Sequence, residues 1–339
     1  MLSALALAPA VATAATHKAE LTLDAGAGAR ISLENLAGRM TVTGGDGDRL
    51  VIEADRVGAT DALAQSVTLE HRVDGDSIEI WFEYPDDEIV YRPDDGWSGN
   101  TRTSYRGERV EVSSRGDGAE VHVNVRVTLP KGVQFAANNV VGGLEAAGVH
   151  GTTTLKTSSG RIKATDGSGE WELRSGSGRI SVEGFDGDLD AHTGSGRIAL
   201  ERVSGEIEAT TGSGGIEASN VGGDVEMQTG SGGIRISDLM GGGAFEATTG
   251  SGSIRVDGDL SKVTDLTMQT GSGSIRVETT GVPNVKLVAR TGSGSVDVDV
   301  PNMSDVNARR NRVEATLGTG EGTASLRTGS GSIDFSIKD

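Results

Sequence analysis

Residues Thr211–Thr229 read TGSGGIEASNVGGDVEMQT, and this stretch decides the fold because it recurs along the chain. Copies of its Thr-Gly-Ser-Gly-x-Ile opening, including Thr-Ser-Ser-Gly and Ser-Gly-Ser-Gly variants, begin at residues 157, 175, 193, 211, 229, 249, 270, 291 and 328. The steps are 18 residues at first, then 20 and 21, and the last is 37. A short period of this kind is typical of stacked supersecondary units.

Each period contains two stretches in which apolar and polar residues alternate. Alternation puts Ile216 and Ala218, and then Val225, Met227 and Thr229, on one side of the chain. Two columns stay apolar from period to period: Ile162, Ile180, Ile198, Ile216, Ile234, Ile254, Ile275, Val296 and Ile333, and Trp171, Leu189, Ile207, Val225, Phe245, Leu266 and Leu287. The pattern predicts an all-β fold, a parallel β-helix (β-solenoid) with ~18–21-residue coils stacked in register. We expect right-handed coils, as in most β-crossovers.

The Gly-Ser-Gly segments mark the corners of these coils. We expect their glycines to adopt positive φ, which a β-carbon disfavours. The flanking Thr and Ser hydroxyls are expected to form ladders along the axis that pair the corner backbone groups. A phosphate-binding loop is the functional alternative, but such a loop occurs once and begins a helix. Nine copies that each precede a strand favour the structural interpretation.

The composition fits a thin repetitive core. The 339 residues include 52 glycines, 3% aromatic residues and no cysteine, with a formal net charge of −18. A solenoid needs few bulky side chains, because each coil encloses only a small interior. The negative charge argues against nucleic acid and anionic lipid as partners, since both require a basic surface.

Residues 1–14 are apolar and uncharged and end in small residues, as a secretory signal peptide does. The basic segment that usually opens such a signal is missing, so we expect the true start upstream of Met1. No later stretch has the length and apolarity of a membrane span. We therefore expect an exported protein, either periplasmic or at the cell surface or extracellular.

Two regions follow the signal. Residues 15–129 are predicted to form an N-terminal β-region that caps residues 130–339, the solenoid, and so protects its open end. A polar loop insertion at 85–118 interrupts the cap. Its aromatic residues Tyr91, Trp97 and Tyr105 are candidates for binding a glycan or a partner peptide, because long loops in compact proteins are often functional. The alternative is that these rings only cover the cap.

An outward column of carboxylates follows the stack: Glu172, Asp190, Glu208, Glu226 and Glu246. Neighbouring carboxylates suit Ca²⁺, which makes this column the candidate metal site. The alternative is a solvated acidic face screened by salt. The histidines are scattered, and no carboxylate pair is distinguished from the others. We therefore predict no catalytic residue, no cofactor and no enzymatic activity.

Four motifs resemble the bacterial putative-adhesin family of β-strand repeat proteins, a family of unknown function. Residues 36–48 (LAGRMTVTGGDGD) are similar to its opening strand pair, and residues 127–133 (VTLPKGV) to its strand-Pro-Lys-Gly junction. The Thr-Gly-Ser-Gly-x-Ile repeats resemble its central coils, and residues 317–322 with 326–333 its closing pair. The likeness covers about residues 29–339 except the insertion. It implies an exported, envelope-associated protein and supplies no site residues.

The sequence thus favours an exported, non-catalytic β-solenoid for adhesion or cell-envelope interaction, with a protein or glycan of the envelope as partner. One alternative is a scaffold that associates with its own copies. A second is a carbohydrate-active β-helix enzyme, since that fold supports polysaccharide lyases and hydrolases.

Overall fold

The computed structural model describes residues 14–93, 97–240 and 242–338. The predicted signal peptide therefore lies outside the described residues except for Ala14. Before the repeats, the elements are β1 (Ala15–Asp24), β2 (Arg30–Ala37), β3 (Met40–Gly44), β4 (Arg49–Gly58), α1 (Asp61–Ser66), β5 (Thr68–Asp74), β6 (Ser77–Glu83), β7 (Glu88–Val90), β8 (Asn100–Tyr105), β9 (Glu108–Ser113) and β10 (Ala119–Leu129).

The repeats begin with shorter strands and continue with long ones. They are β11 (Gln134–Val141), β12 (Leu144–Ala147), β13 (Thr153–Thr157), β14 (Ile162–Ser175), β15 (Ile180–Thr193), β16 (Ile198–Thr211), β17 (Ile216–Thr229), β18 (Ile234–Met240), β19 (Gly243–Thr249), β20 (Ile254–Asp259), β21 (Val263–Thr270) and β22 (Ile275–Thr279). The last strands are β23 (Val285–Thr291), β24 (Val296–Asp299), β25 (Ser304–Arg309), β26 (Arg312–Thr316), β27 (Gly322–Thr328) and β28 (Ile333–Ile337).

The coils stack as parallel strands, so the predicted all-β solenoid is confirmed. Strand segments that follow a Gly-Ser-Gly corner form one row, the front sheet, where Ile198 lies between Ile180 and Ile216. Segments that precede a corner form a second row, the back sheet, where Ile207 lies between Leu189 and Val225. The predicted inward columns of both rows are buried, except for Val296, which is half-buried, and they form one core. The handedness of the coils stays a prediction.

The long strands β14 to β17 run through a bend instead of stopping at a turn. The bend residue has a left-handed backbone at Asp166, Arg202 and Asn220, with φ of 52°, 53° and 52°. Ladder pairing continues beyond it, for example from Gly205 to Gly223. Each of these strands therefore contributes its first half to the front sheet and its second half to the back sheet.

The expectation that the Gly-Ser-Gly glycines adopt positive φ is wrong. Positive φ belongs to the bend, where Gly187 and Gly205 have φ of 140° and 121°, and not to Gly196 in the Gly-Ser-Gly corner. The corner excludes side chains because stacked backbones nearly touch there. A β-carbon on Gly196 would lie 1.9 Å from the carbonyl oxygen of Gly178 in the preceding coil.

The predicted hydroxyl ladder is confirmed at the same corners. Thr211 Oγ1 donates to the carbonyl of Gly196 in the preceding coil at 2.8 Å and accepts from the amide of Gly214 at 3.2 Å. Thr193 and Thr229 make equivalent bonds one coil away on either side. Each buried hydroxyl thus satisfies one amide of its own coil and one carbonyl of its neighbour.

The coils at the C-terminal end are not stacked in chain order. Strand β27 pairs with both β21 and β23, and β28 pairs with both β22 and β24. Ala324 therefore separates Leu266 from Leu287, and Ile333 separates Ile275 from Val296. The antiparallel hairpin β25–β26 covers β23 beyond them, and it accounts for most of the length by which the 37-residue step exceeds one coil.

The N-terminal region continues the stack as well as ending it. Strand β2 is a parallel neighbour of β11, and β3 of β12. The antiparallel pairs β1–β4 and β5–β6 lie at the outer edges of the front and back rows. The segment predicted as a loop at 85–118 contains strands: β7 joins β10 and β9, and β8 forms a hairpin with β9.

In residues 14–93, 97–240 and 242–338, no helix has the length and apolar character needed to cross a membrane.

Candidate functional site

The predicted acidic column is continuous in space. Glu172, Asp190, Glu208, Glu226 and Glu246 are register neighbours on the back sheet. Cations contact its first members, where Lys156 Nζ lies 3.2 Å from Glu172 and Arg174 Nη2 lies 2.9 Å from Asp190. Desolvation opposes ionisation of Glu172, but hydrogen bonds from Arg174 and Lys156 outweigh it and lower the pKa of that carboxyl.

A second acidic column, missed in the sequence, runs beside the first. Glu170, Asp188 and Glu206 stand two residues earlier on the same strands, and together the two columns line a shallow cavity of about 330 Å³. A two-residue spacing puts side chains on one face of a strand, so this signal was present in the sequence. Within the described part of the chain, no cluster of three or more acidic or histidine side chains has the arrangement of a metal site. Cation binding stays a prediction.

The aromatic residues of the insertion pack against the body of the protein. Tyr91 and Tyr105 are only 3% and 7% exposed. Tyr105 donates a 2.8 Å hydrogen bond to the carbonyl of Phe82, and Trp97 Nε1 donates one of 2.9 Å to Ser159 Oγ. These contacts agree with the alternative in which the rings cover the cap. Partner binding through Tyr91, Trp97 and Tyr105 stays a prediction.

A groove of about 640 Å³ lies on the front sheet. The position just before each inward isoleucine is an arginine in three early coils, the last being Arg197, and becomes Gly215 and Gly233 in the next two. Serine follows at 253, 274 and 332. Because these small residues replace long side chains, the sheet surface drops to a floor of backbone and hydroxyl groups. The groove lies over that floor.

Arginines form one wall of this groove. Arg235, Arg255 and Arg276 are register neighbours on β18, β20 and β22, two residues beyond the floor positions. Glu217 precedes this row and Asp334 follows it. Adjacent strands lie ~4.8 Å apart, so the three guanidinium groups are spaced at about that repeat. We call Arg235, Arg255 and Arg276 the arginine row.

Each arginine of the groove also meets a carboxylate. Arg255 Nη2 lies 2.9 Å from Glu278, and Arg276 Nε lies 3.3 Å from Asp334. Arg197 Nη1 lies 2.7 Å from Glu217, whereas Arg235 is 3.9 Å from that same carboxylate. The side chain of Arg235 is 68% exposed, and those of Arg255 and Arg276 are 45% and 50% exposed. The row is therefore held in place but remains open to solvent.

A family model matches residues 121–336, more than half of the chain, and its description is Toastrack DUF4097. The chain belongs to the Toastrack DUF4097 family. This confirms the predicted membership in a domain-of-unknown-function family of β-repeat proteins. Both the groove and the acidic columns lie within the Toastrack residues. No curated protein matches the sequence.

A comparison with solved structures found three matches. A putative cell adhesion protein from Clostridium sporogenes is 9% identical, with 96% of this chain and 100% of that chain covered and a TM-score of 0.23. A putative lipid binding protein from Parabacteroides distasonis is 13% identical, with 93% and 96% covered and a TM-score of 0.37. A putative adhesin from Bacteroides fragilis is 11% identical, with 94% and 96% covered and a TM-score of 0.30. Values this low do not support a functional inference.

The sequence contained a signal for the arginine row that was missed. The dipeptide Ile-Arg occurs at 234–235, 254–255 and 275–276, once in each of three successive coils. Because the isoleucine faces inward, the arginine after it faces solvent and stacks on its neighbours. The repeats could not indicate which residues line the C-terminal end of the groove. Ser332 and Asp334 join it only because β28 lies beside β22.

Proposed function

We propose that the protein is an exported, non-catalytic binding protein of the bacterial cell envelope or surface, and that it holds its partner against the outward face of the front sheet. One observation carries this proposal: a groove of about 640 Å³ lined by Arg197 and the arginine row, on a chain with a net charge of −18. The apolar, uncharged residues 1–14 support export.

The walls of the groove are suited to binding without rearrangement. Every strand beneath it is paired on both edges, so the arginines project from a continuous ladder. Side chains carried on strands are positioned more accurately than those on loops. The groove also extends over several equivalent coils, whereas acid–base catalysis needs one distinguished pair of groups. A repeated surface favours attachment to an extended partner.

Self-association is the second candidate, and charge favours it. The acidic columns lie on the back sheet and the arginine row on the front sheet, so two copies present opposite charges to each other. Lateral contact is more plausible than end-to-end pairing at the edge strand β25. That strand has a register shift between Ser304 and Asn307, and Asp305 has φ of 51°. Irregular edges of this kind hinder strand addition.

Binding of the purified protein to intact bacteria and to isolated envelopes tests the proposal. We expect saturable retention on at least one of these surfaces, measured by co-sedimentation with labelled protein. Absence of retention on both would contradict surface binding. Sedimentation velocity over a range of protein concentrations tests self-association. Release of reducing sugar from envelope polysaccharides would instead favour the alternative of a carbohydrate-active enzyme.

A further inference from the structure

The floor and direction of the groove restrict the shape of its ligand. Gly215, Gly233, Ser253 and Ser274 follow one another from coil to coil, so the floor runs along the stack and across the strands. The serines form a hydroxyl row, in which the amide of Ser274 donates to Ser253 Oγ at 3.2 Å. A narrow chain that lies along the stack fits this floor. A flat sheet surface of a second copy does not enter it.

The local charge of the groove is positive although the chain is acidic. Four arginines line the groove, namely Arg197 and the arginine row, whereas Glu217 and Asp334 line it at the two ends of the row and Glu278 pairs with Arg255. The acidic columns lie across the core on the back sheet. Two sheets pack roughly 10 Å apart, so these carboxylates lie farther from a ligand in the groove than the arginines that it contacts. At the groove itself, Arg197 and the arginine row outnumber Glu217, Glu278 and Asp334 by one charge, so a bound ligand meets a net positive surface.

Guanidinium groups recognise planar or tetrahedral oxyanions. Arginine presents five N–H donors in a fixed fork that matches carboxylate, sulfate and phosphate groups. Arg255 and Arg276 each direct one nitrogen to a neighbouring carboxylate, which leaves further donors that face the groove solvent. Anionic groups repeated along a chain suit cations repeated along a stack.

An extended peptide fits the groove less well than a glycan. Peptides commonly bind a sheet by adding a strand to a free edge. Strands β18, β20, β22 and β28 are each paired on both sides, so the groove has no free edge. Its floor instead offers hydroxyl groups at Ser253, Ser274 and Ser332, which can exchange hydrogen bonds with sugar hydroxyls.

We propose that this groove binds an acidic polysaccharide, a glycan chain with carboxylate, sulfate or phosphate groups, laid along the stack against the arginine row. The inference rests on the proposed function and names the ligand class of the same site. The carboxylated, sulfated and phosphorylated sources share the chemistry that the arginines recognise, and the probes below separate them.

The test measures binding of the full chain to immobilised polygalacturonate (carboxylated), heparin (sulfated) and a phosphorylated dextran, with unmodified dextran as the neutral control. We expect at least one acidic glycan to bind and its affinity to fall as salt rises, while dextran does not bind. The triple variant Arg235→Gln/Arg255→Gln/Arg276→Gln should bind about ten- to a hundredfold more weakly, because each exposed charge contact contributes modestly. Poly-glutamate serves as an acidic peptide probe.

A matched variant, Arg309→Gln/Arg310→Gln/Arg327→Gln, removes the same charge outside the groove and should bind as the unchanged protein does. Gly233→Gln fills the floor without changing charge and should also weaken binding. Its column holds Arg197 two coils earlier and Ser253 one coil later, and its β-carbon would lie 3.2 Å from the carbonyl of Ser253. Thermal melting of each variant checks that it is folded.

Several results would overturn the inference. These are failure of every acidic glycan to bind, equal loss in the two triple variants, or poly-glutamate binding as tightly as the glycans. Concentration-dependent association that the arginine-row variant abolishes would assign the groove to a second copy. If the arginine-row variant loses affinity for intact bacteria or envelopes although the unchanged protein binds none of the acidic glycans, the proposed function stands and the polysaccharide assignment falls; if the variant loses no affinity for those surfaces, the proposed function falls as well.

Discussion

Thr291 Oγ1 donates a 2.6 Å hydrogen bond to the carbonyl of Gly331, although 40 residues separate the two in the chain. In the central coils the same threonine bonds to the glycine of the preceding coil, as Thr211 does to Gly196. The last coil of the chain therefore occupies the place of the preceding coil. Strands β27 and β28 close the gap between the coil of β21 and β22 and the coil of β23 and β24.

The inserted coil makes the C-terminal end depend on its last residues. Phe335 is fully buried between Val277 and Val298. We expect Phe335→Ala to cost about 3–5 kcal/mol locally, because it leaves a cavity between two coils. Hydrogen exchange should accelerate in β23 and β24 and stay slow in β15 and β16, since stacked repeats open locally.

Ser336→Ala is the control for this variant, because Ser336 is on the same strand but only half-buried. It should leave exchange unchanged. Uniform acceleration across all coils in Phe335→Ala would show that the stack unfolds as one unit instead.

The threonine ladder predicts that substitutions of two adjacent threonines change the melting temperature by different amounts. Thr211→Val keeps the shape of the side chain but leaves the carbonyl of Gly196 and the amide of Gly214 without their partner. Loss of a buried partner costs ~1–3 kcal/mol, so the melting temperature should fall. Thr210→Val, one residue earlier and facing outward, should change it little. Equal melting temperatures for the two variants would argue against the ladder.

The stacked corners approach each other so closely that we expect a corner glycine not to tolerate even the methyl side chain of alanine. Gly196→Ala puts a β-carbon 1.9 Å from the carbonyl oxygen of Gly178, so the coils must separate. We expect a loss of about 2 kcal/mol or more, as for overpacked cores. Gly26→Ala is the control, because nothing lies within 4 Å of its β-carbon. A folded Gly196→Ala protein with an unchanged urea midpoint would disprove the contact.

Buried tyrosines predict a loss of stability at alkaline pH. Burial raises the pKa of Tyr84 and of Tyr105 above the usual 10.0. In the unfolded chain both phenols ionise near pH 10, whereas in the folded protein they stay protonated. Their contribution is therefore complete below about pH 10 and is lost as the pH rises beyond it. Melting temperatures from about pH 8 to about pH 11 should fall steeply in the upper part of that range.

Tyr105→Phe separates this effect from general alkaline denaturation. It removes the hydrogen bond to the carbonyl of Phe82 and lowers stability at neutral pH. Its melting temperature should nevertheless decline less between about pH 9.5 and about pH 11. An identical slope in both proteins would mean that Tyr105 titrates normally in the folded state.

The acidic column predicts opposite effects at its two ends. Stacked carboxylates ~5 Å apart repel by about 1 kcal/mol per pair even in water. Glu208→Gln/Glu226→Gln should therefore raise the melting temperature at low salt, and the gain should shrink as salt is added. Glu172→Gln should lower it, because Glu172 contacts Lys156 and Arg174. We expect no shift in the melting temperature on adding Ca²⁺. A clear rise would favour the interpretation in which the acidic column binds Ca²⁺.

Much of the fold could be read from the repeat, because an inward column must be apolar in every coil. Ile216, Val225 and Met227 were placed inside by alternation alone, and all three are buried. The corner glycines were recognised, but positive φ was the wrong reason for them. The short distance between Gly178 and Gly196 is set by the stacking of two coils, and the sequence within one coil does not show it. The buried bond between Asn35 and Asn139, 2.9 Å long, was also unforeseen because it joins residues 104 apart.

The sequence by itself determined the period, the inward columns and the direction in which charged side chains face, because all of these follow from alternation within a coil. Only the tertiary structure decided which coils are neighbours at the C-terminal end. The pairing of β28 with β22 places Ser332 and Asp334 at the end of the arginine row. Identical Thr-Gly-Ser-Gly corners can stack in more than one order, so the choice rests on long-range pairing and on the space that the β25–β26 hairpin occupies.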